Sequence, residues 1–236
     1  MTWTDQELYQ TLCTEGPQRE AAIVELRLLP GEALSEKDIA NRFAVSRQPV
    51  REAFIKLAEL GLVEIRPSRG TYVTRISVRD VINARFVREA VECDIAAAAA
   101  RLAGKTDIAN LRALIHEQKE AATAADHRRF NDRDQAFHHT IARIVDCDYA
   151  WRTVETARFY TDRVRLLSIP GTSTFDTLIA QHAQLADAIE ARSPERAQKA
   201  MRRHLREILV ALPRIAETYP NYFSDTKIPA HSADID

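Results

Sequence analysis

Apolar residues recur at helical spacing in a short segment that follows Ser35. Ile39, Ala40 and Phe43 would lie on one face of a helix, because residues three and four positions apart share a face. Ser35 precedes the segment as a helix cap, and Asp38 follows three residues later in the position of a capping box. The pattern predicts a short amphipathic helix that begins after Ser35.

A second helix is predicted after a tight connection at residues 44–45. Ser46 is placed to cap this helix, and Gly61 is placed to end it. Its apolar face consists of four residues at helical spacing: Val50, Phe54, Leu57 and Leu60. Arg47 and Arg51 lie four residues apart on the opposite side and project outward together. A short helix, a tight turn and a second helix with a basic exposed end form the pattern of a helix-turn-helix, whose second helix fits a major groove.

Two strand patterns follow, at residues 62–66 and 71–75, and the turn residues 67–70 join them. This arrangement predicts a β-hairpin with Arg69 and Gly70 at its tip. A glycine at the tip lets the backbone and the guanidinium approach a phosphate or enter a minor groove, as the wing of a winged helix does. The amino-terminal unit is therefore predicted to be a winged helix-turn-helix over residues 1–76.

The chain after residue 77 shows long stretches with a period of 3.6 residues, and the whole chain has six glycines. Ser77 and Asp80 form another capping-box pattern at the start of this part. The predicted helices cover residues 78–103, 106–124, 127–146, 149–168, 174–192 and 194–217. The fold is therefore expected to be mainly α, with a winged amino-terminal unit, an all-α helical bundle at residues 77–220 and a loose tail at residues 221–236.

The composition is that of a soluble globular protein with room for two domains. The chain has 236 residues, of which 45% are hydrophobic and 28% are charged. The longest apolar run, residues 95–100, is much shorter than the roughly 20 residues of a membrane helix. The amino terminus lacks a basic-then-apolar signal pattern, so we expect a cytoplasmic protein with no membrane partner. Cys13, Cys93 and Cys147 are widely separated, which fits reduced thiols.

Positive charge is concentrated in the winged unit. The whole chain carries 33 Lys and Arg against 34 Asp and Glu, whereas residues 37–75 carry eight against four. A local basic surface on a helix-turn-helix makes double-stranded DNA the first partner to test. Two alternatives remain at this point: each basic residue is an ordinary solvated charge, or the helix-turn-helix serves protein contacts.

The same residues resemble the amino-terminal domain of GntR-family transcription regulators over nearly all of residues 20–75. The matching segments are Pro30-Gly31-Glu32, Leu34-Ser35-Glu36, Ile39-Ala40, Val45-Ser46-Arg47, Pro49-Val50-Arg51-Glu52-Ala53, Leu57 and Gly61-Leu62-Val63. The resemblance implies that Arg47 and Arg51 contact operator bases and phosphates. It also implies DNA contacts, some of them at the wing, by Lys37, Ser46, Gln48, Arg69 and Gly70. Lys37 stands where an arginine is common in the fatty-acid-responsive branch, and lysine lacks the planar guanidinium fork.

The helical half carries a pattern of side chains that can bind a metal ion. Asp134 and His138 lie four residues apart on one predicted helix, so they can chelate one ion from adjacent turns. His182 and His204 each lie eleven residues from Ser193, at the turn between two predicted helices. If these helices pack antiparallel, both imidazoles lie about 16 Å from the turn and meet the same point.

Three imidazoles and one carboxylate suit a divalent metal ion, with zinc expected first and nickel, manganese or iron as alternatives. The alternative without a metal is a surface hydrogen bond between Asp134 and His138, with His182 and His204 packed or solvated. Residue spacing alone does not decide between these two interpretations.

The context of the four residues resembles the FadR carboxy-terminal domain, called FCD, over about residues 78–215. The matching segments are Asp134-x-x-Phe137-His138, Gln181-His182-x-x-Leu185-x-x-Ala188-Ile189 and Ala197-x-x-Ala200-Met201-x-x-His204-Leu205. The resemblance implies that the four predicted ligands bind a divalent metal inside a helical bundle. Gln181 stands where a glutamate is frequent, a change that affects how a ligand is oriented without removing one.

The resemblance also implies an effector site beside the metal. Arg88 matches an arginine that is frequent in the first FCD helix, where a guanidinium can clamp a carboxylate in bidentate fashion. The alternative for Arg88 is an ion pair with a neighbouring glutamate on its helix. Tyr160, Arg163 and Arg165 are further candidates to line the cavity, but helical spacing does not fix which way they point.

Together these patterns predict a FadR-subfamily transcription regulator that is not an enzyme. The resemblance implies a homodimer that binds an inverted-repeat operator, usually as a repressor, and that responds to a small organic acid near the metal. Two other functions remain open from the sequence. Three imidazoles and a carboxylate also occur in metal-dependent hydrolases, and the metal itself could be the signal. A metal that merely stiffens the bundle is a further possibility.

Overall fold

A computed structural model of the chain describes residues 21–168 and 172–225. The described residues form two compact units. The first contains residues 21–80 and 216–225, and the second contains residues 81–215. None of the helices in these ranges combines the length and apolar composition that crossing a membrane requires.

The first unit has the helices and the hairpin of a winged helix-turn-helix. Its elements are α1 (Ala21–Val24), β1 (Ala33–Leu34), α2 (Glu36–Arg42), α3 (Arg47–Glu59), β2 (Val63–Arg66) and β3 (Gly70–Val73). The strands form an antiparallel sheet in the order β1-β3-β2, with Arg66 opposite Gly70 at the hairpin end. β1 was not predicted, because a two-residue strand is too short to show an alternating pattern.

The helix ends follow from local chemistry. The Ser35 hydroxyl accepts a hydrogen bond from the backbone N–H of Asp38 at 3.2 Å, so the predicted cap of α2 is present. Ser46 holds the N-cap position of α3, but within the described residues its side chain makes no capping hydrogen bond, contrary to our expectation. The third helical residue is Pro49, which has no N–H to donate to such a cap. Gly61, with φ of +71°, follows the end of α3 as predicted.

The apolar face of α3 packs into the core of the first unit. Val50, Phe54 and Leu57 are at most 1% exposed, and Leu60 is half-buried. Arg47 and Arg51 are exposed. The predicted division of α3 into a core face and an outward basic face is therefore confirmed.

The segment after Thr218 is more ordered than we expected. Pro220–Tyr222 forms a 3-10 turn, and strand β5 (Phe223–Asp225) pairs in parallel with β4 (Ile76–Ser77). Phe223 is buried beside the β4 partner Ile76. The buried side chain of Phe223 holds this segment in place, so residues 221–225 are not part of a loose tail. Residues 226–236 lie outside the described part of the chain.

The helices of the bundle are α4 (Val78–Leu102), α5 (Lys105–Thr123), α6 (His127–Ile144), α7 (Asp148–Ser168), α8 (Thr172–Glu190) and α9 (Pro194–Thr218). Each lies within two residues of a predicted helix at both ends. The Ser77 hydroxyl accepts the backbone N–H of Asp80 at 3.1 Å at the start of α4, as predicted. α5 packs against α6 and α8 over a core that includes Leu111, Phe137 and Leu185.

Candidate functional site

The second unit brings the four predicted metal ligands to one point. Asp134 and His138 come from α6, His182 from α8 and His204 from α9. All four side chains are buried, and one ligand atom from each lies within 4.8 Å of the others. The alternatives of a surface Asp–His pair and of solvated histidines therefore do not apply, whereas His182 and His204 are packed, as the other alternative stated.

The spacing of the ligand atoms fits a small cation. His204 Nε2 lies 3.1 Å from His138 Nε2 and 3.4 Å from His182 Nε2. His182 Nε2 lies 3.6 Å from Asp134 Oδ1. Ligands about 2.0–2.1 Å from a tetrahedral zinc ion are roughly 3.3 Å apart. These three separations are close to the spacing that a first-row divalent metal needs.

Each imidazole is oriented by an oxygen that contacts its other ring nitrogen. His138 Nδ1 lies 2.6 Å from Glu92 Oε2, and His182 Nδ1 lies 2.7 Å from Gln118 Oε1. His204 Nδ1 lies 3.1 Å from Gln181 Oε1. Oxygen acceptors at Nδ1 fix the tautomer that carries its proton there. The lone pair of each Nε2 therefore points to the common centre.

The orientation of the two amides follows from their second contacts. Gln118 Nε2 donates to the backbone carbonyl of Arg133 at 3.3 Å, and Gln181 Nε2 donates to the Glu207 carboxylate at 2.8 Å. Both partners are acceptors only, so the amide nitrogens must face them and the amide oxygens must face the imidazoles. Gln181 thus supplies the same oxygen acceptor that a glutamate would supply.

The electrostatics of the cluster also fit a cation. Burial lowers the pKa of His182 to about 3 and that of His204 well below its usual value, so both are neutral. Burial alone would raise the pKa of Asp134, but the Arg165 guanidinium beside it holds this pKa well below its usual value. Within the described residues, Asp134 Oδ1 has no hydrogen-bond partner. Three inward lone pairs and one carboxylate oxygen form a buried donor set that a divalent cation would satisfy.

We predict that the metal-free protein loses stability as the pH falls below about 6.5. His182 has a pKa of about 3 in the folded chain and an ordinary value of 6.5 when unfolded. Between these two pH values the unfolded chain binds a proton that the folded chain does not, so acid favours unfolding. Urea unfolding at pH 8 and pH 5, after a chelator has removed any metal, would measure the change in the free energy of unfolding. The His182→Gln variant should show a weaker pH dependence, and an equal dependence would contradict the prediction.

We also predict that Gln118→Leu weakens metal binding by about 10- to 100-fold while the fold is kept. The substitution keeps the buried volume but removes the oxygen that holds His182 Nδ1. Competition for zinc against a chelator of known affinity would measure this change. Gln198→Leu is the matched control, because Gln198 contacts Asp94 rather than a predicted ligand. Equal zinc affinities for the two variants would show that Gln118 does not orient the imidazole.

A cavity of about 370 Å³ opens beside His204. Arg88 lines it as predicted, and so do Arg85, Arg165 and Arg214. The apolar part of the wall includes Leu178, Leu205, Ile208, Val210 and Ala211. The cavity therefore joins a cationic surface to the predicted metal ligands within one unit.

Arg88 forms the ion pair with a neighbouring glutamate that was the alternative expectation, and it also lies in the cavity wall. Its Nε donates to Glu92 Oε1 at 2.6 Å and its Nη1 donates to Thr161 Oγ1 at 3.1 Å, while the side chain also lines the cavity. Arg165 contacts the ligand Asp134 through its Nη1 and lines the same cavity. These two arginines connect the cavity to the residues around the candidate metal centre.

Tyr160 and Arg163 do not line this cavity among the described residues. On α7 the cavity is lined by Thr161 and Arg165, which lie four residues apart and share a face. Arg163 is two residues from both, about 200° of rotation away, and Tyr160 is about 100° from Thr161. Residue spacing does not define the rotation of α7 about its axis, so it could not distinguish Arg165 from Arg163.

The predicted DNA-contacting residues of the helix-turn-helix lie on the surface of the first unit. Lys37, Ser46, Arg47 and Gln48 are exposed. Arg51 is also exposed, and its guanidinium makes a bidentate contact with Glu36, with Nε–Oε1 and Nη2–Oε2 distances of 3.2 and 3.0 Å. An exposed ion pair contributes little to stability, so Arg51 can exchange this partner for another anion at little cost.

The hairpin tip presents Arg69 and Gly70 to solvent. Gly70 has φ of +103°, a conformation that residues with a Cβ rarely adopt. The Tyr72 hydroxyl donates to the Arg69 carbonyl at 2.8 Å, and the Arg66 guanidinium lies 4.7 Å from the centre of the Tyr72 ring. The tyrosine therefore holds the backbone of the tip while the Arg69 side chain stays accessible.

Comparison with known proteins agrees with both units. Residues 20–73 match the model of "Bacterial regulatory proteins, gntR family", and residues 84–207 match that of the FCD domain. The chain is 38% identical to the HTH-type transcriptional repressor RspR of Escherichia coli K12 over 94% of each chain. It is 31% identical to a probable D-xylose utilization operon transcriptional repressor of Paenarthrobacter nicotinovorans, over 80% of this chain and 83% of the relative.

Two solved structures share the fold. McbR/YncC of E. coli matches with a TM-score of 0.74 and 17% identity, over 93% of this chain and 100% of that one. A GntR transcriptional regulator from Rhodococcus sp. RHA1 matches with a TM-score of 0.71 and 22% identity, over 88% of this chain and 99% of that one. At these identities the likeness concerns the fold alone.

Proposed function

We propose that this chain, which belongs to the gntR family of bacterial transcription regulators and carries an FCD domain, is a repressor. A small organic acid would control its affinity for an operator. The observation that carries this proposal is the buried cluster of one aspartate and three histidines that opens onto an arginine-lined cavity. A donor set of this kind can hold a divalent metal, and the adjacent guanidinium groups attract an anion. The presence of repressors among the relatives supports repression rather than activation.

The winged unit would bind DNA as part of a homodimer. Two copies related by a two-fold axis would present two α3 helices to successive major grooves, about 34 Å apart on one side of the duplex. An inverted-repeat operator would match that symmetry. Arg47 and Arg51 would contact base edges or phosphates there, and the Arg69–Gly70 tip would approach the minor groove beside them. Lys37, Ser46 and Gln48 surround the same helix end and would add contacts to the duplex.

The helical unit would bind the effector next to the metal. Asp134, His138, His182 and His204 would hold the ion, for which zinc is the first candidate and nickel, manganese or iron are alternatives. The bound metal would supply a Lewis acid to which an effector carboxylate can coordinate. Arg88 and Arg165 would hold that carboxylate from the cavity side, because guanidinium groups bind carboxylates in bidentate fashion.

The switch is tested by measuring operator affinity while candidate acids are added to the zinc-loaded protein. A coupling of about 1–3 kcal/mol would reduce operator affinity by roughly 5- to 150-fold, and the operator would weaken acid binding by the same factor. No effect of any acid on operator affinity would contradict the proposed switch. Operator affinity that follows zinc concentration with no acid present would instead support metal sensing.

A further inference from the structure

The cavity beside His204 contains more positive charge than its own wall neutralises. Arg85, Arg88, Arg165 and Arg214 line it, whereas Glu207 is the single carboxylate of the described residues in its wall. Arg85, Arg88 and Arg165 are each at most 9% exposed. Buried guanidinium groups need anionic partners, because burying an unpaired charge is strongly unfavourable.

The carboxylates around the cavity are already shared between several cations. Glu89 accepts hydrogen bonds from Arg85, from Arg202 at 3.2 Å and from Arg206 at 3.0 and 2.9 Å. One carboxylate charge thus serves three guanidinium groups.

The carboxylates nearer the candidate metal centre are shared in the same way. Glu92 contacts both Arg88 and His138 at 2.6 Å. Asp134, the partner of Arg165, is also a predicted metal ligand. A bound divalent cation would therefore increase the excess of positive charge further.

Two buried guanidinium nitrogens mark where additional anionic atoms would fit. Within residues 21–168 and 172–225, no atom accepts a hydrogen bond from Arg85 Nε or from Arg88 Nη2. Both side chains belong to the cavity wall. A buried N–H without an acceptor raises the free energy of the folded protein, and a ligand oxygen that accepts its hydrogen bond would relieve this.

The cationic residues lie at two ends of the cavity. Glu92 contacts the ligand His138, and Arg85 precedes Glu92 by seven residues, or about 10 Å along α4. On α9, Arg214 follows His204 by ten residues, or about 15 Å. The contacts from Glu89 to Arg202 and Arg206, and from Asp94 to Gln198, show that α4 and α9 run antiparallel, so Arg85 and Arg214 lie toward the same end.

The wall between these two ends is apolar except for Thr177 and the Glu207 carboxylate, which accepts a hydrogen bond from Gln181. Leu205 and Ile208 of α9 and Leu178 of α8 line it, and Ala211 continues it toward Arg214. Apolar side chains favour a hydrocarbon segment over a chain of hydroxyl groups. The cavity thus has a metal end with Arg88 and Arg165, an aliphatic middle, and a distal end with Arg85 and Arg214.

We propose that the effector is an aliphatic dicarboxylic acid of about four to six carbons. One carboxylate would lie at the metal end, and the second would be held by Arg85 and Arg214 at the distal end. This inference rests on the proposed function, since it names the class of acid that the regulator binds. The backbone rises of about 10 Å on α4 and about 15 Å on α9 are upper limits on the gap, because the Arg85 guanidinium reaches back to Glu89, one turn nearer the metal end. After about 2 Å for a metal–oxygen bond and about 3 Å for a hydrogen bond to arginine, the remaining gap fits an acid of about four to six carbons.

The test is calorimetric titration of the zinc-loaded full chain with matched acids. Succinate, glutarate and adipate would be compared with butyrate, pentanoate and hexanoate, which have the same carbon numbers and one carboxylate. We expect the best dicarboxylate to bind at least about 10-fold more tightly than the monocarboxylate of equal length, as one additional charge-assisted contact provides.

Variants at the distal end test the residues involved. Arg85→Gln and, independently, Arg214→Gln should reduce the preference for the dicarboxylate to within a few fold, while monocarboxylate affinity and zinc content stay unchanged. Arg112→Gln is the matched control, because Arg112 is a half-buried arginine that pairs with Asp187 and Glu190 outside the cavity. A preference that survives both distal variants would overturn the assignment of these two residues.

The outcomes separate this inference from the proposed function. Equal affinity of the wild-type protein for dicarboxylates and monocarboxylates would overturn the inference and leave an acid-responsive regulator intact. Binding of neither class in the presence of zinc would overturn both.

Discussion

Replacing His138 by alanine is expected to reduce the zinc content of the purified protein from about one ion per chain to near zero. His138 Nε2 faces the common centre, and its Nδ1 is held by Glu92. The two remaining histidines and Asp134 would keep a weaker site. Because metal at about 100 to 1,000 times its dissociation constant stabilises a protein by roughly 2.7–4.1 kcal/mol, the variant should lose a stabilisation of that size.

Zinc analysis and urea unfolding with and without excess zinc would measure both effects. His139→Ala is the matched control, since His139 is the neighbouring residue but is exposed and stacks on Trp151 with ring centres 4.7 Å apart. The control should keep its zinc and its zinc-dependent stability. If His138→Ala bound zinc as tightly as His139→Ala, the four-residue cluster would not be a metal centre.

Replacing Arg51 by alanine is expected to lower specific operator affinity by roughly 5- to 150-fold if its guanidinium contacts a base edge. Arg51 projects from the first turns of a helix whose opposite face is packed in the core. Its contact with Glu36 is exposed and bidentate, so DNA competes with a weak partner. A contact to phosphate alone would instead weaken all DNA binding and reduce the salt dependence by about one unit of slope.

Fluorescence anisotropy with operator and scrambled duplexes, at several salt concentrations, would distinguish these two cases. Lys56→Ala is the matched control, because Lys56 is an exposed basic residue near the other end of α3, about 180° around the helix from Arg47. The control should bind DNA like the wild-type protein. Equal operator affinities for Arg51→Ala and Lys56→Ala would remove α3 from the DNA interface.

The two pairs of candidate metal ligands could be predicted because they obey helical periodicity. Spacing places Asp134 beside His138 and His182 beside His204, and the FCD resemblance implies that the two pairs meet, as they do in the structure. The oxygens that orient the imidazoles could not be placed in this way. Glu92 is 46 residues from His138 and Gln118 is 64 residues from His182, and only the packing of α4 and α5 brings them into contact.

Local rules also failed where a neighbouring residue changed the chemistry. Ser46 is a residue type that favours the cap position, but Pro49 removes one of the two backbone N–H groups from which its hydroxyl could accept. The segment from Pro220 follows a long helix and is polar, yet Phe223 finds a partner strand that lies 147 residues earlier in the chain at Ile76. Long-range strand pairing leaves no local signal in the sequence. Neither does the orientation of α7 about its axis, which places Arg165 rather than Arg163 in the cavity wall.

The most direct test of the account is a titration of duplex DNA from the region upstream of its own gene with the zinc-loaded protein. Fluorescence anisotropy would compare this DNA with a scrambled duplex of equal length in the same buffer. We expect one fragment with an inverted repeat to bind about 1,000-fold or more tightly than the scrambled duplex, as sequence-specific regulators do. Equal affinity for the upstream and scrambled duplexes would contradict the central claim that α3 and the hairpin tip recognise an operator.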